Sequence, residues 1–376
     1  MRLAAQRREL ILAAVRDRGT VRLSDLAAEL GASPVTVRRD VTALADRGLV
    51  TRVHGGISVP LRAGGRDADQ PRSTVGPLPA PVLVGMVVPS VNFYWPAVVH
   101  GAQSVVAAAG SRMALRGSAY DPAEDRRQVG RLLERGVQAL LVAPSTTGRA
   151  GTELLRWLGG LPVPVVLVER VPPPELPTLA LDAATTDHTL GAGLAVRHLA
   201  ALGHRRVGLV VRPSPTGQPV RRGWAIAVRE LDLETAGVPD LDVPSYGEAG
   251  WTAAFDEVLT ICQAHAVGAL LVHSDREAIG VVERARDRGI AVPNQLAVVS
   301  YDDEVASASD PALSAVRPDK YRLGALAAEL ALARVADTTD LPVHRVSLWP
   351  RLVVRESCGA RPPSTDDRPA RVGGAR

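Results

Sequence analysis

The stretch Ser33-Pro34-Val35-Thr36-Val37-Arg38-Arg39-Asp40, continued to Arg47, predicts a helix with its start signal in place. Ser33 suits the N-cap, and Pro34 suits the first helical position, where no backbone donor is needed. An apolar stripe follows the helical spacing and consists of Val37, Val41 and Leu44. At ~100° per residue, the opposite face holds Val35, Arg38, Arg39 and Thr42. Either this face is simply solvated, or its arginines bind guanine and phosphate in a DNA major groove.

The residues before this stretch favour the DNA-binding interpretation. Residues 5–18 predict an amphipathic helix, and a short second helix capped by Ser24 follows it. Gly31-Ala32 then forms the turn into the helix of Ser33. A helix, a short helix, a tight turn and a longer basic helix make the order of a helix-turn-helix.

The residues after the basic helix predict a wing. Residues 49–59 alternate between apolar and polar side chains like a small hairpin that turns at Gly55-Gly56. A hairpin in this position lies beside the DNA backbone. Arg52 and His54 are therefore expected to reach phosphate or the minor groove from it.

The charge of the chain is unevenly distributed. Residues 1–60 hold ten arginines against six acidic residues, a net charge of +4, whereas residues 82–360 carry a net charge of −3. A basic end on a mildly acidic body indicates an anion-binding module attached to a part with another task. The N-terminus has no apolar signal segment, no later stretch is long enough to span a membrane, and Cys262 and Cys358 have no metal-ligand spacing. We therefore expect a soluble cytoplasmic protein with reduced thiols and no membrane contact.

A family resemblance rests on the following residues of the N-terminal region: Leu26-Ala27, Leu30, Ser33, Thr36-Val37-Arg38-Arg39-Asp40, Leu44, Gly48-Leu49 and Arg52-Val53-His54-Gly55-Gly56. This pattern resembles the DeoR-type winged helix-turn-helix and covers nearly all of residues 5–58. The resemblance implies DNA contact by Thr36, Arg38 and Arg39. The helical wheel agrees for the arginines but puts Thr36 nearer the flank, and Asp40 points toward the edge of the core, which indicates a structural role. We expect a DNA-binding domain over residues 1–59, with contacts from Ser33, Val35, Thr36, Arg38, Arg39, Thr42, Arg52 and His54.

The remainder of the chain predicts a linker and a large α/β body. Residues 60–81 are rich in Pro and Gly and have no periodicity, so we expect a flexible linker. Short apolar strands are predicted at 82–88, 113–117, 139–143, 163–168, 207–211, 268–272 and 296–300. Helices are predicted near 96–109, 123–135, 150–158, 187–202, 221–233, 250–264 and 276–288. This alternation predicts parallel sheets covered on both faces, and a length of roughly 275 residues predicts two lobes.

In open parallel sheets, ligands bind at the carboxyl ends of the strands. The segments that follow the predicted strands contain Asn92, Tyr94, Trp95, Glu169, Ser274, Asp275 and Asp302. They supply aromatic faces, a hydroxyl group, an amide and carboxylates but no basic cluster. This chemistry predicts a polar neutral ligand such as a sugar or a nucleoside.

A second resemblance rests on five motifs of the body: Val82-x-Val84-Gly85-x-Val87-Val88-Pro89, His198-Leu199-x-x-Leu202-Gly203-His204-Arg205-Arg206-Val207-Gly208, Gly289-Ile290-x-Val292-Pro293, Val298-Val299-Ser300-Tyr301-Asp302-Asp303 and Pro311-x-Leu313-Ser314-x-Val316. Together they resemble the effector domain of LacI/GalR repressors. The resemblance implies the type I periplasmic-binding-protein fold, two lobes joined by crossover strands, and a homodimer formed largely through this domain. We expect this domain over residues 82–356 and a disordered tail over 357–376. The expected effector contacts are Asn92, Tyr94, Trp95, Glu169, Arg221, Arg222, Ser274, Asp275 and Asp302.

The sequence departs from the LacI/GalR pattern at two places. The usual arginine three residues before Gly223 is Val220 here, and either Arg221 or Arg222 is a candidate to replace it. The Pro/Gly linker also lacks the short Ala/Leu hinge helix that is expected after a LacI-type head. Coupling between the effector and the DNA therefore need not follow the folding of a hinge.

Three other functions are weighed against a regulator. An enzyme would need a paired nucleophile and base or a metal spacing, and the sequence shows neither. A transport binding protein of the same fold would carry a signal peptide and would not need residues 1–58. A sugar-phosphate sensor would need an anion site, which the mildly acidic body disfavours. We therefore predict a transcriptional repressor that binds a double-stranded DNA operator as a homodimer, responds to a small effector and uses no cofactor or metal.

Overall fold

The computed structural model describes residues 11, 20–30, 32–46, 51–53, 56–58, 78, 80–146, 148–336 and 341–360 of the chain. The chain divides into two compact units, Met1–Arg72 and Ser73–Arg376. The first predicted helix, 5–18, and the predicted linker, 60–81, lie almost wholly outside the described residues. Of the linker, Leu78, Ala80 and Pro81 are described, and Leu78 packs against the apolar core of the second unit.

In its described residues, the N-terminal unit combines two complete helices with a small antiparallel sheet. Its described elements are β1 (Thr20–Arg22), α1 (Leu23–Leu30), α2 (Pro34–Asp46), β2 (Thr51–Val53) and β3 (Gly56–Ser58). The strand order is β1-β3-β2, so both strands of the predicted wing are present and β1 adds a third strand to them. Helix α1 begins at Leu23, so Ser24 is the second residue of the helix and the predicted N-cap at Ser24 is wrong.

The core of this unit is one apolar cluster, and it contains the predicted stripe of helix α2. Val37, Val41 and Leu44 are buried. They pack together with Ile11, Val21, Leu26 and Ala27. Burial of this stripe fixes which face of α2 points outward.

The second unit has two lobes, each built on a six-stranded sheet. The first lobe contains the strands β4 (Leu83–Val88), β5 (Arg112–Gly117), β6 (Ala139–Val142), β7 (Val165–Val168), β8 (Asp182–Thr186) and β14 (Arg345–Leu348). Its helices are α3 (Trp95–Ala108), α4 (Pro122–Glu134) and α5 (Gly148–Gly159). The strand order is β14-β8-β7-β6-β4-β5, and all neighbours are parallel.

The second lobe repeats this plan. It contains the strands β9 (Val207–Val211), β10 (Asp240–Asp242), β11 (Ala269–His273), β12 (Ala297–Tyr301), β13 (Ser314–Arg317) and β15 (Arg351–Val353). Its helices are α6 (His188–Ala201), α7 (Gly217–Glu230), α8 (Trp251–Ala264) and α9 (Asp275–Asp287). The order is β10-β9-β11-β12-β13-β15, with only the β13–β15 pair antiparallel. In each lobe one apolar cluster lies on either face of the sheet, which is the predicted doubly covered architecture.

The chain crosses between the lobes three times. It passes from β8 to α6, from β13 to α10 (Lys320–Ala336), and from β14 to β15. Helix α10 packs in the core of the first lobe although the strand before it belongs to the second. The predicted two-lobed fold with crossover connections is therefore confirmed.

The structure contains elements that the sequence did not reveal, and it corrects the start of the predicted tail. All seven predicted strands and all seven predicted helices of the body are present. The structure adds one helix, α10, and the strands β8, β10, β13, β14 and β15, which were not predicted. The predicted disordered tail does not begin at residue 357, because Glu356–Cys358 is a short 3-10 helix and Ser357 is buried. Ser357 Oγ donates to the carbonyl of Val298 at 2.6 Å and accepts from the backbone N–H of Ser314 at 2.8 Å. Residues from 361 onward lie outside the described residues.

Helices α3 and α10 approach so closely that two glycines stand at their crossing. A Cβ atom on Gly324 would lie 1.8 Å from the carbonyl oxygen of Val98, and one on Gly101 would lie 1.9 Å from that of Tyr321. Both obstacles are backbone atoms, which cannot rotate away. The crossing therefore requires glycine at both positions.

We expect Gly324→Ala to destabilise the protein by about 3 kcal/mol, because the two helices must separate to admit the methyl group. Gly130→Ala in α4 is the matched control, since a Cβ there meets nothing within 4 Å. The control should gain about 0.5–1 kcal/mol from helix propensity. Chemical denaturation of both full-length variants measures the difference. Equal stability of Gly324→Ala and wild type would contradict the tight crossing.

Candidate functional site

Helix α2 carries part of the predicted DNA-binding face within its described side chains. Ser33 Oγ accepts a hydrogen bond from the backbone N–H of Thr36 at 3.2 Å and lies 2.8 Å from Thr36 Oγ1, which confirms the N-cap. Arg39 is exposed, and Thr36 and Thr42 are half-buried. Asp40 is buried at the edge of the core, in agreement with a structural role.

The remaining predicted DNA contacts cannot be placed in the same way. The side chains of Val35, Arg38 and Arg52, and the whole of His54, lie outside the described residues. Of the predicted set, the described part of the chain therefore brings Ser33, Thr36, Arg39 and Thr42 to one helix, with the hydroxyl of Ser33 already used in the cap.

A cleft lies between the two lobes at the carboxyl ends of their strands. The first lobe lines its inner part with Phe93, Tyr94, Trp95, Tyr120, Glu169 and Arg170, and the second lobe lines it with Arg212, Ser214, Pro215, Thr216, His273 and Asp302. The inner cavity has a volume of about 40 Å³. It adjoins a wider compartment of about 530 Å³ that shares Tyr120, Arg212 and Ser214 with it. The cleft therefore lies where ligands bind in open parallel sheets, as the sequence predicts.

Glu169 is the central carboxylate of the first-lobe wall. It directly follows β7, and its oxygens accept from the Thr186 backbone N–H at 3.0 Å and from Thr186 Oγ1 at 2.7 Å. Tyr94 donates its hydroxyl to the same carboxylate, and His188 Nε2 lies 3.2 Å from it. Burial alone would raise the pKa of Glu169, but His188 and the hydrogen bonds from Tyr94 and Thr186 hold it at about 2. Glu169 is therefore ionised at neutral pH.

The Glu169 carboxylate also connects the lobes. His188 begins α6 of the second lobe, and its Nδ1 lies 3.2 Å from the hydroxyl of Tyr301 in β12. Burial, together with the charges of Asp302 and Glu169, raises the pKa of Tyr301 well above its usual value. A continuous chain of buried polar contacts thus runs from Tyr94 to Tyr301.

Asp302 is the central carboxylate of the second-lobe wall. It directly follows β12 and is 5% exposed. Burial raises the pKa of Asp302, and the nearby charge of Lys320 opposes this effect. Lys320 itself donates to the backbone carbonyl of Asp302 and pairs with Glu304 at 2.5 Å. Within the described residues, no hydrogen bond reaches the side-chain oxygens of Asp302, so this carboxylate retains its capacity to accept.

Ser274 and Asp275, which were predicted as effector contacts, line neither compartment of the cleft. Ser274 caps α9, and its hydroxyl donates to Glu277 at 2.7 Å. Asp275 is fully buried and accepts from Ser300 Oγ at 2.7 Å and from the backbone N–H of Val305 at 3.0 Å. Burial, aided by the charge of Asp302, raises the pKa of Asp275 to about 6. Both residues hold the segments that carry the cleft wall in place.

The other predicted contacts divide between the cleft and the surface. The inner cavity brings together Tyr94, Trp95, Glu169 and Asp302. Asn92 and Arg222 are exposed and line neither compartment. Arg221 lines the wider compartment, where it is held by Asp240 at 2.7 Å and Asp242 at 3.0 Å. Between the two candidate arginines, the structure therefore brings Arg221 to the cleft.

Sequence reasoning missed Arg170, Arg212, Tyr120 and His273 as cleft residues. Arg170 is buried and donates to the carbonyls of Pro144 at 3.1 Å and Glu169 at 2.7 Å. Arg212 directly follows β9, so the same strand-end argument that found Glu169 applied to it. His273 is the last residue of β11 and lies one residue beyond the predicted strand 268–272, so the same argument applied to it as well. The two arginines balance the charges of Glu169 and Asp302 on the inner walls.

The backbone of the inner cavity is strained. Phe93, Tyr120, Glu169 and Asp302 all have a positive φ, at 62°, 55°, 58° and 94° respectively. L-residues rarely adopt this region, and such residues concentrate at ligand sites.

Among the described residues, no cluster of His, Cys, Asp and Glu is arranged to hold a metal ion. No helix in the described part of the chain is long and apolar enough to cross a membrane.

Comparison with known proteins confirms both resemblances. The profile of the DeoR-like helix-turn-helix domain matches residues 7–62, and that of the periplasmic binding protein-like domain matches residues 196–358. The transcriptional regulator reg1 of Streptomyces lividans is 27% identical over 359 residues, which are 91% of this chain and 98% of that protein. The transcriptional regulator GalS of Salmonella typhimurium is 27% identical over 289 residues, 74% of this chain and 80% of that protein.

A solved structure shows the same fold over both lobes. The transcriptional regulator CelR in complex with cellobiose matches with a TM-score of 0.63 and 23% identity, over 88% of this chain and 94% of that one. The fold and the relatives define a DNA-binding transcriptional regulator, not an enzyme. In particular, this chain joins a DeoR-like helix-turn-helix domain to a periplasmic binding protein-like domain.

The low pKa of Glu169 gives a pH-dependent contribution to stability. Because the folded-state pKa of about 2 lies below the ordinary value of 4.5, the contribution is present above pH 4.5 and is lost as the pH falls toward 2. We expect Glu169→Gln to lower the melting temperature by several degrees at pH 7. The gap to wild type should narrow between pH 4.5 and the lowest pH at which the protein stays folded. Thermal unfolding across this range measures it, and a pH-independent gap would contradict an ionised Glu169.

Proposed function

We propose that this chain represses transcription in the cytoplasm by binding a DNA operator as a homodimer, and that a small neutral polyhydroxylated effector in the cleft releases it. The observation that carries the effector class is Asp302, a buried carboxylate on the cleft wall with free acceptor capacity. Carboxylates of this kind accept from hydroxyl groups of sugars and nucleosides. The balanced charges of the inner walls support a neutral effector, and the cellobiose complex of CelR supports a sugar.

The DNA contacts are proposed for the outward face of α2 and for the wing. In a dimer, two such helices enter successive major grooves, with half-sites an integral number of helical turns apart. The predicted contacts are Ser33, Val35, Thr36, Arg38, Arg39, Thr42, Arg52 and His54. Exposure of Arg39 opposite the buried stripe of Val37 and Val41 supports this assignment.

The effector changes DNA affinity through the angle between the lobes. Tyr94, Trp95 and Glu169 approach the cleft from the first lobe, and Asp302 approaches it from the second. A ligand that contacts both walls therefore favours one interlobe arrangement over others. A coupling of ~1–3 kcal/mol changes operator affinity by about 5- to 150-fold. A transport protein of the same fold would use a similar cleft but has no use for a DeoR-like head.

Arg39→Ala should weaken operator binding by at least about tenfold, because one guanidinium contact to a base or phosphate is lost. The operator is first selected from a random DNA library with the wild-type protein. Arg229→Ala, which removes an exposed arginine from α7 of the body, is the control with the same charge change. Fluorescence anisotropy measures both affinities at one salt concentration. Equal losses in the two variants would show that only net charge matters and would contradict the assignment of α2.

Asp302→Ala should abolish effector-induced stabilisation while operator binding is preserved, because both carboxylate oxygens that accept from the hydroxyl groups are removed. A thermal-shift panel of D-glucose, D-ribose, cellobiose, maltose, adenosine and glucose 6-phosphate measures the response of the wild type and the variant. Arg222→Ala, an exposed position outside the cleft, is the control and should respond like the wild type. A response confined to the sugar phosphate would contradict a neutral effector.

A further inference from the structure

One nitrogen atom in the cleft wall is buried without a partner. Of the buried side-chain nitrogen and oxygen atoms in the described residues, only His273 Nδ1 and Arg116 Nε lack a hydrogen bond. Arg116 lies in β5 and does not line the cleft, whereas His273 lines its inner cavity and is 1% exposed. A buried polar group without a partner is costly, so its persistence calls for an explanation.

The surroundings of His273 hold its ring in place and keep it uncharged. Its ring packs edge-on against Tyr301, with the ring centroids 5.7 Å apart, and its carbonyl accepts from the Arg212 backbone N–H at 3.1 Å. Burial and then the charge of Arg212 lower the pKa of His273 to about 3. The imidazole is therefore neutral at physiological pH and has one donor and one acceptor nitrogen.

His273 and Asp302 lie next to each other at the ends of neighbouring strands. Strands β11 and β12 are parallel, and Val272 pairs with Ser300, so His273 stands beside Tyr301 and one residue before the level of Asp302. Neighbouring strands are about 4.8 Å apart. Both residues also line the same inner cavity, so one ligand is able to contact the imidazole and the carboxylate together.

We propose that His273 determines effector specificity: its Nδ1 binds a hydroxyl group of the ligand at the inner end of the cleft, beside the hydroxyl group that Asp302 binds. The proposal rests on the proposed function and refines it, because it requires a ligand with a further hydroxyl group besides the one that Asp302 binds. A hydroxyl group both donates and accepts, so it satisfies Nδ1 in either tautomer of the ring. A ligand that lacks this hydroxyl leaves Nδ1 buried and unpaired, and the cleft discriminates against it.

A purely structural role for His273 makes the opposite prediction for the ligand-free protein. If Nδ1 had a partner in the folded state, its removal would destabilise the protein. If Nδ1 is paired only when a ligand is bound, replacing the ring by an apolar side chain removes an unsatisfied polar atom. The ligand-free protein is then at least as stable as the wild type. The two roles are therefore separable without knowledge of the natural effector.

The test compares His273→Leu with His273→Asn in the full-length protein. Leucine removes the polar atom, whereas the side-chain amide of asparagine places a polar atom near the position of Nδ1. With cellobiose and D-glucose as probes, isothermal titration calorimetry should show that His273→Leu weakens the binding of the sugar that the wild type binds by about 10- to 100-fold. His273→Asn should stay within about fivefold of the wild type. Without sugar, the melting temperature of His273→Leu should equal or exceed that of the wild type.

Two results would overturn the proposal. One is sugar affinity of His273→Leu within about twofold of the wild type. The other is a melting temperature of ligand-free His273→Leu below that of the wild type, which would place a partner at Nδ1 in the folded protein. If the wild type binds neither sugar, that result counts against the sugar class of the proposed function. The ligand-free melting temperatures then still decide whether Nδ1 is unpaired.

Discussion

The two lobes depend on one buried, ionised carboxylate at the first crossover between them. Glu169 lies at the end of β7, and its hydrogen bonds reach Tyr94 and Thr186 in the first lobe and His188 in the second. A buried charge is tolerated only when it is paired and its acceptor capacity is filled. Here four groups fill that capacity, and His188 extends the contacts to Tyr301. The relative position of the two cleft walls is thus set by a polar network and not by apolar packing alone.

This arrangement gives the two carboxylates of the cleft different roles. The carboxylate oxygens of Glu169 already accept hydrogen bonds from protein groups, and these partners hold its pKa at about 2. Asp302 is buried to a similar degree, yet burial raises its pKa, and in the described residues no donor reaches its side-chain oxygens. Two similar side chains therefore differ because their surroundings differ, a pattern known from sites in which paired carboxylates divide their tasks.

The strand-end argument located the cleft from the sequence but did not separate its walls from their supports. It identified Tyr94, Glu169 and Asp302 correctly as residues that meet in one cavity. Ser274 and Asp275 instead stand at the start of α9, because the segment after a parallel strand also has to start the next helix, and a Ser or Asp at that point serves equally well as a cap. Helix α10 was missed because its Ala-rich sequence has no clear apolar stripe, and β8 because its residues Asp182–Thr186 are too polar to predict a buried strand.

Several features of the cleft cost free energy, and contacts with a ligand are able to offset this cost. Positive φ angles at Phe93, Tyr120, Glu169 and Asp302 each cost of the order of 1 kcal/mol or more. The Nδ1 atom of His273 adds an unpaired buried group to these costs. An effector shifts an equilibrium only by the difference between its affinities for the two states. A ligand that contacts Asp302 and the first-lobe wall together makes those contacts only while the walls face each other. These costs therefore lie where the binding of an effector is able to bias the angle between the lobes.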